Sequence, residues 1–354
     1  MYKKRHILGL IIISIITFSS TCKNSTRPVL VSNKGTYVLK GEKFRLSGSL
    51  CPTNIQLVDS LVIIQNYGDS YWFHVYSMND LSLLGKFGME GRGPSEYLAP
   101  LMLNQQMKIR DSSYLVIYDH TFRRVSIVNI LKAIDNVNYH PKSLVLNNKT
   151  NFQQSILASA VLLNDSIIIG SSGNGPIEGK YFCYDIPNNK MTWIPFYPVP
   201  KITPRRQFLD DLYKNYSALK PDFTEIAAAL LFYNRIDILD KTGKVKRTID
   251  FGQYKEPDFS NADSWPPKGS HEFFTSISVS QDYVYALNID LEVDSRIIVD
   301  TVSLIKARWE DDGSQPEIFK MTPKVGKIAI DEANKKIYGI DFLSEYIYIY
   351  KMGK

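Results

Sequence analysis

Cysteine is nearly absent: the 354 residues hold only three. Cys22, Cys51 and Cys183 share no short spacing, which excludes a disulfide-stapled scaffold and a Cys-rich zinc site. Cys51 and Cys183 fall in repeats that should not be neighbours, so two buried free thiols are expected. Histidine is as scarce, with five residues. His74, His120, His140 and His271 lie in separate stretches without metal-ligand spacing, so no metal is expected. The chain has no Gly-x-Ser-x-Gly elbow, dinucleotide fingerprint or P-loop, and no cofactor or catalytic residue is assigned. No apolar run reaches the ~20 residues of a membrane-spanning helix. The net charge of +6 falls to +3 once Lys3, Lys4 and Arg5 are set aside. With no basic stripe to add to it, that excess gives no reason to expect a nucleic-acid partner.

What is abundant is aromatic: 22 Tyr and 17 Phe, residue types that suit pleated, half-buried strands. The first segment is of another kind. Lys3-Lys4-Arg5 precede an apolar run from Ile7 to Phe18, then Ser19-Ser20-Thr21 and Cys22. A basic start, a short apolar run and small residues form a signal peptide. Lipidation at Cys22, cleavage with release, and an uncleaved anchor are all open outcomes. The stretch resembles the lipobox of bacterial lipoproteins, which implies lipidation of Cys22 and anchoring to the membrane through that lipid. The tether after Cys22 carries no acidic cluster, and the expected location is the cell envelope, on the outer membrane facing the periplasm. The expected organisation is a signal peptide over 1–21, a tether over 22–35 and one domain over 36–354.

From Tyr37 onward, short apolar-alternating runs are divided by turn residues, the mark of an all-β fold. One pattern recurs: a polar tip with Asp, then a strongly apolar strand. Asp59, Asp111, Asp165, Asp282 and Asp331 stand 52, 54, 117 and 49 residues apart. The long gap is about twice the others, and Pro221-Asp222-Phe223 sits where the missing tip belongs. Six units of about 50 residues match four-stranded propeller blades. The last unit offers three strands, over 327–330, 336–340 and 346–350, so the strand over 37–46 is expected to complete it and hide its edge. The fold class expected is therefore an all-β, six-bladed propeller closed by an N-terminal strand. The aspartates read as turn residues that hydrogen-bond their own backbone.

Turns at one face of such a ring are short, whereas the crossings between blades are long. The crossing over 196–222 predicts a helix, with Thr203 as cap, Pro204 at its first position and an apolar stripe of Phe208, Leu212, Tyr213, Tyr216 and Leu219. Function on a rigid scaffold collects on extended loops. The candidate partner-binding residues on that face are Arg92, Glu96, Arg123, Arg124, Tyr233, Arg235, Trp265 and His271, with Arg and Trp the usual anchors of binding surfaces. The glycine-rich crossing reads in two ways. Gly91, Gly93 and Arg92 could form an anion-binding nest, or Glu96 could cap a fixed turn while Tyr97 packs inward.

Phe87-Gly88-Met89-Glu90-Gly91-Arg92-Gly93-Pro94-Ser95-Glu96-Tyr97 resembles the Gly-x-Gly-Pro-x-Glu-aromatic hallmark of TolB-like six-bladed propeller lipoproteins. The stretch from Ile328 to Ile340 is similar to the last blade of that family. The resemblance implies a propeller at the cell envelope and no established reaction. The function expected is non-catalytic binding of an envelope protein or glycan through the loop-rich face. The alternative is a propeller hydrolase, lactonase or lyase with a divalent ion in the central channel, an analogy of fold only.

Overall fold

The computed structural model describes residues 37–49, 51–109, 112–146, 157–172, 178–197, 208–252, 266–267, 269–293, 299–341 and 344–353. The expected signal peptide and tether, with Cys22, lie outside the described residues. The fold is all-β. After β1 (Tyr37–Arg45), the strands form antiparallel meanders: β2 (Pro52–Val58), β3 (Leu61–Asn66), β4 (Tyr71–Ser77) and β5 (Leu83–Met89), then β6 (Pro100–Ile109), β7 (Ser112–Asp119), β8 (Arg124–Asn129) and β9 (Lys142–Val145). The third is β10 (Leu157–Asn164), β11 (Ile167–Ser172), β12 (Tyr181–Asp185) and β13 (Lys190–Ile194). The fourth is β14 (Asn215–Leu219), β15 (Ile226–Leu230), β16 (Arg235–Leu239) and β17 (Val245–Asp250). The fifth is β18 (His271–Val279), β19 (Tyr283–Glu292), β20 (Val302–Arg308) and β21 (Glu317–Thr322), and β22 (Lys327–Asp331), β23 (Lys336–Ile340) and β24 (Tyr346–Lys351) end the chain. The described helices are short: α1 (Ile130–Asp135) and α2 (Leu209–Leu212).

Second strands such as β3 and β15 are buried along their whole length, because apolar neighbours cover both faces. The core lies in the seams between successive meanders. Val75 and Phe87 meet Leu115 and Ile117 in one seam, and Val116 and Tyr118 meet Ile168 and Phe182 in the next. Val161 and Ile169 then meet Ala228 and Leu239, and Ile236 and Ile238 meet Phe274 and Val284. Leu287 and Leu304 meet Ile328 and Ile337, and Ile55 and Ile64 meet Tyr338 and Ile347. The last seam joins the end of the chain to its beginning, so the layers close on themselves.

β1 fastens that closure. Its second half pairs antiparallel with β24, from Gly41 opposite Tyr350 to Arg45 opposite Tyr346, as the missing fourth strand required. Its first half does something the sequence pattern did not indicate: Tyr37–Lys40 run parallel to Phe319–Thr322 of β21. Gly41 stands where one pairing gives way to the other, and a Cβ there would come within 2.8 Å of the Tyr350 ring. This parallel pairing, and a contact between β14 and β6, merge meanders into two eight-stranded hydrogen-bonded sheets beside two four-stranded ones.

The turn aspartates behave as expected only in part. At the Asp165 and Asp282 tips the backbone is bonded instead by Asn164 Oδ1, which accepts from Ser166 N–H at 2.8 Å, and by Ser280 Oγ, which accepts from Tyr283 N–H at 3.1 Å. Asp59 adopts a φ of 52° between β2 and β3, and Asp222 Oδ1 accepts from Thr224 N–H at 2.9 Å. Asp331 Oδ1 accepts from Asn334 N–H at 3.1 Å, whereas Asp111 lies outside the described residues. The expected helix is corrected. Residues 201–207 are not described, α2 spans only Leu209–Leu212, and Tyr216 and Leu219 belong to β14. The apolar spacing fits either period over so short a run, and pairing of Asn215–Leu219 with Leu230–Ile226 decides for strand. Cys51 and Cys183 are not joined in a disulfide, and both are half-buried rather than buried.

The first meander carries an acid-labile contact. His74 in β4 is fully buried, with Nε2 2.9 Å from Asp69 Oδ2, which also accepts from Lys86 Nζ at 2.8 Å. Burial pushes the imidazole down to about 4, Lys86 adds to the push, and Asp69 opposes it. The unfolded chain therefore takes up this proton first as pH falls. The contribution is complete above about 6.5 and lost progressively down to about 4, roughly 3 kcal/mol in all. Urea unfolding at pH 7 and pH 4 should show His74→Gln losing about 3 kcal/mol less than wild type across that interval. Equal losses in the two proteins would remove His74 from the account.

Candidate functional site

The first strands of the meanders, β2, β6, β10, β14, β18 and β22, touch one another in cyclic order around an axis. They line a central channel, which β6 divides. Met102 pairs with Ile117 and Gln106 with Leu115, so three residues of β6 stand against one of β7. Such an insertion bends the strand out of its ladder. Here it pushes Asn104 across to Ala218 of β14, where Asn104 Nδ2 donates to Ser217 O at 3.4 Å. Amide side chains hold the bulge in place. Gln105 Oε1 accepts from Leu162 N–H at 2.6 Å, and Gln105 Nε2 donates to Leu162 O at 2.9 Å. Gln56 Nε2 donates to Gln105 O at 2.6 Å. From the sequence, these Gln and Asn residues look like ordinary polar strand positions.

Two cavities result. Toward the hairpin tips, a cavity of about 290 Å³ is lined by aliphatic residues, among them Ile55, Leu57, Ile277 and Ile330, together with amides and the charged Asp59 and Lys108. Toward the crossing loops, a cavity of about 160 Å³ is lined by Asn54, Asn104, Ser159, Tyr216, Ser276 and Lys327, with others. The second has the larger share of polar side chains among its lining residues. Lys327 Nζ lies 3.9 Å from the centre of the Tyr216 ring and donates to Thr275 O at 2.5 Å. Burial pushes the Lys327 ammonium down to about 7, and Lys214 adds repulsion. Glu272 is pushed up by burial against the pull of Lys214 and Lys324. Sequence reading missed Lys327, because a lysine opening an apolar strand is usually solvated and nothing local marks it otherwise.

The glycine-rich crossing from β5 to β6 takes the fixed-turn form. Glu96 Oε2 accepts from Gly93 N–H at 2.6 Å, so the chain's own carboxylate fills the nest an outside anion would use. A Cβ on Gly91 would fall 2.1 Å from that oxygen, which accounts for glycine there. Tyr97 is buried edge-on against Phe73, with Trp72 Nε1 donating to Tyr97 O at 3.1 Å. Arg124 is buried and donates to Gly93 O at 3.3 Å and to Glu96 O, tying β8 to the crossing. Arg92 is exposed and Arg123 half-buried.

The other candidates do not gather with these. Tyr233 is buried and stacked on Tyr213 at 5.5 Å. Arg235 is also buried, and its guanidinium is spent within the fold on Asp237 at 3.0 and 3.1 Å. His271 opens β18 at the crossing-loop face, half exposed, 3.2 Å from Asp290. Trp265 lies outside the described residues. Among the described residues, no three His, Cys, Asp or Glu side chains gather as a metal site would require.

No protein-family model matches the sequence, and no curated protein matches it. Solved structures do. A member of the DUF4221 family from Bacteroides vulgatus is similar at a TM-score of 0.60 and 12% identity, over 88% of this chain and 97% of that one. Raptor from Chaetomium thermophilum is similar at 0.51 and 9% identity, over 90% of this chain and 29% of that one. A Bacteroides thetaiotaomicron protein of unknown function is similar at 0.48 and 8% identity, over 90% of this chain and 75% of that one. At such identities the likeness extends to the fold: this chain is an all-β protein of propeller-like architecture, similar in shape to a DUF4221 protein.

Proposed function

We propose that the chain is a six-bladed β-propeller that binds an envelope protein or glycan on its crossing-loop face, without catalysis. The blade count is supported by six four-stranded meanders, the last completed by β1, whose seams follow one another in a single cycle. Kinship with TolB-like lipoproteins is supported by the Gly91–Tyr97 motif, and tethering through a lipid on Cys22 by the sequence before it.

One observation carries the binding reading. The Gly88–Tyr97 crossing is fastened from inside by Glu96, Arg124 and Trp72, yet leaves Arg92 exposed at its apex. A loop held rigid before contact loses little conformational freedom on binding, which favours affinity. The metal-dependent hydrolase or lyase reading finds no support among the described residues, where no three His, Cys, Asp or Glu side chains gather along the channel.

The test is photo-crosslinking in cells from Arg92 and His271 on the crossing-loop face, with Asn79 and Lys241 on the tip face as controls. One shared partner captured from the first pair alone is the expected result. Equal capture from the tips, or none from either face, would refute this reading.

A further inference from the structure

We propose that the channel cavity on the crossing-loop face binds a small carboxylic acid as its anion, held by the Lys327 ammonium and the hydroxyls of Ser159 and Ser276. This site is separate from the docking surface around Arg92, and either can exist without the other.

The first argument is the balance of donors and acceptors. Ser159 Oγ accepts from Ser217 N–H at 2.7 Å, and Ser276 Oγ accepts from Ile328 N–H at 3.1 Å. Each oxygen thus serves a backbone donor, and each hydroxyl proton can turn to an acceptor in the cavity. Asn54 and Asn104 direct their amide N–H groups to Met102 O and Ser217 O, at 3.3 and 3.4 Å. Asn54 Oδ1 accepts from Ile55 N–H at 3.0 Å. Ser217 Oγ donates to Asn215 Oδ1 at 2.9 Å, away from the role proposed for the other two serines. The lining therefore has two serine hydroxyl protons to offer, while Asn54 Oδ1 and the main-chain oxygens of Met102 and Ser217 are already engaged, an arrangement that suits an anion.

The second argument is charge. Lys327 lies in the cavity wall, with Lys214 ahead of β14 and Lys324 ahead of β22 close enough to affect the local titrations. Glu272 on β18 is the carboxylate opposing them, and Tyr216 supplies a ring face to the Lys327 ammonium. The mouth is therefore positive. Among the described residues, Lys327 is the one lysine in the cavity wall, Lys214 and Lys324 standing outside it. A monoanion therefore matches the ammonium within the cavity, whereas a dianion would bring a second charge into a partly desolvated site without a partner in the wall. The volume of about 160 Å³ suits an acid of two to four carbons rather than a sugar.

The lowered titration of Lys327 adds a signature. A bound carboxylate favours the protonated amine, so affinity should be full below pH 7 and weaken about tenfold from pH 6 to pH 8.

The experiment is calorimetric titration of the full chain with acetate, propionate and butyrate, with their methyl esters and inorganic phosphate as comparisons. Saturable one-site binding of an acid at pH 6, none of its ester, and weaker binding of phosphate are expected. Lys327→Met should weaken the acid at least about tenfold, and Ser276→Ala by a smaller factor. Circular dichroism checks that each variant folds. Should Lys327→Met unfold, the wild-type pH profile and the ester comparison still decide. Absence of saturable acid binding at pH 6, affinity unchanged at pH 8, or phosphate binding more tightly than any acid would overturn the proposal. Partner capture at Arg92 without acid binding would leave the docking reading standing alone.

Discussion

Replacing Asp237 with alanine is expected to lower the unfolding free energy by about 3–5 kcal/mol, the range for breaking a buried ion pair by removing one partner. Asp237 in β16 is fully buried, and its two oxygens accept five hydrogen bonds. Oδ1 takes Arg235 Nε at 3.1 Å, Arg235 Nη2 at 3.0 Å and Thr248 Oγ1 at 2.9 Å. Oδ2 takes the Tyr181 hydroxyl at 2.9 Å and the Lys180 ammonium. Burial pushes this carboxyl up, but the two cations more than offset it and hold it below the usual range. Without the carboxylate, Lys180 and Arg235 are two buried cations facing each other across the seam between the third and fourth meanders. The combined replacement Lys180→Met, Asp237→Leu and Arg235→Met should be much less harmful than the single change, because no charge is left unmatched. Urea unfolding of both variants makes the comparison. A loss under about 1 kcal/mol for Asp237→Ala would show that solvent reaches the cluster on demand.

The second large effect is expected from removing residues 1–45. Deleting β1 uncovers the edge of β24 along five paired positions and takes Leu39 from the seam it shares with Tyr285 and Met321. An unpaired edge strand templates further pairing, so the shortened chain should self-associate. Its thermal midpoint should fall by about 10 °C or more, since several kcal/mol are lost from a domain of this size. Removing residues 1–36 keeps β1 and should leave both properties unchanged. Scanning fluorimetry and size-exclusion chromatography on the two truncations decide the matter. A monomeric 46–354 chain with an unchanged midpoint would mean that the ring closes through its seams alone.

Much of the fold was legible because local chemistry repeats. Aspartate tips ahead of apolar strands mark the hairpins, since short polar side chains bond their own turn backbone wherever the chain reverses. The strand missing at the end and spare at the start pointed to closure, since an open edge is costly to leave. Of the two readings open for the Gly91–Tyr97 crossing, the structure takes the turn capped by Glu96, because that carboxylate sits within the reach of its own loop.

The stretch around Tyr216 did not read correctly. Its apolar positions suit helix or strand over so few residues, and the partner that decides, Ile226–Leu230, comes later in the chain. Arg235 looked like a surface anchor, but its state depends on Asp237 and on Lys180, which arrives from the neighbouring meander. Lys327 and the amides that hold the β6 bulge belong to the same class. Their roles come from contacts between residues about 50 or more apart, such as Gln105 with Leu162 and Lys327 with Tyr216. Turn chemistry, periodicity and the need to cover an edge act within a few residues, and the sequence alone determined those. Burial, charge pairing and the division of the channel arise only when distant strands meet, and the tertiary structure decided them.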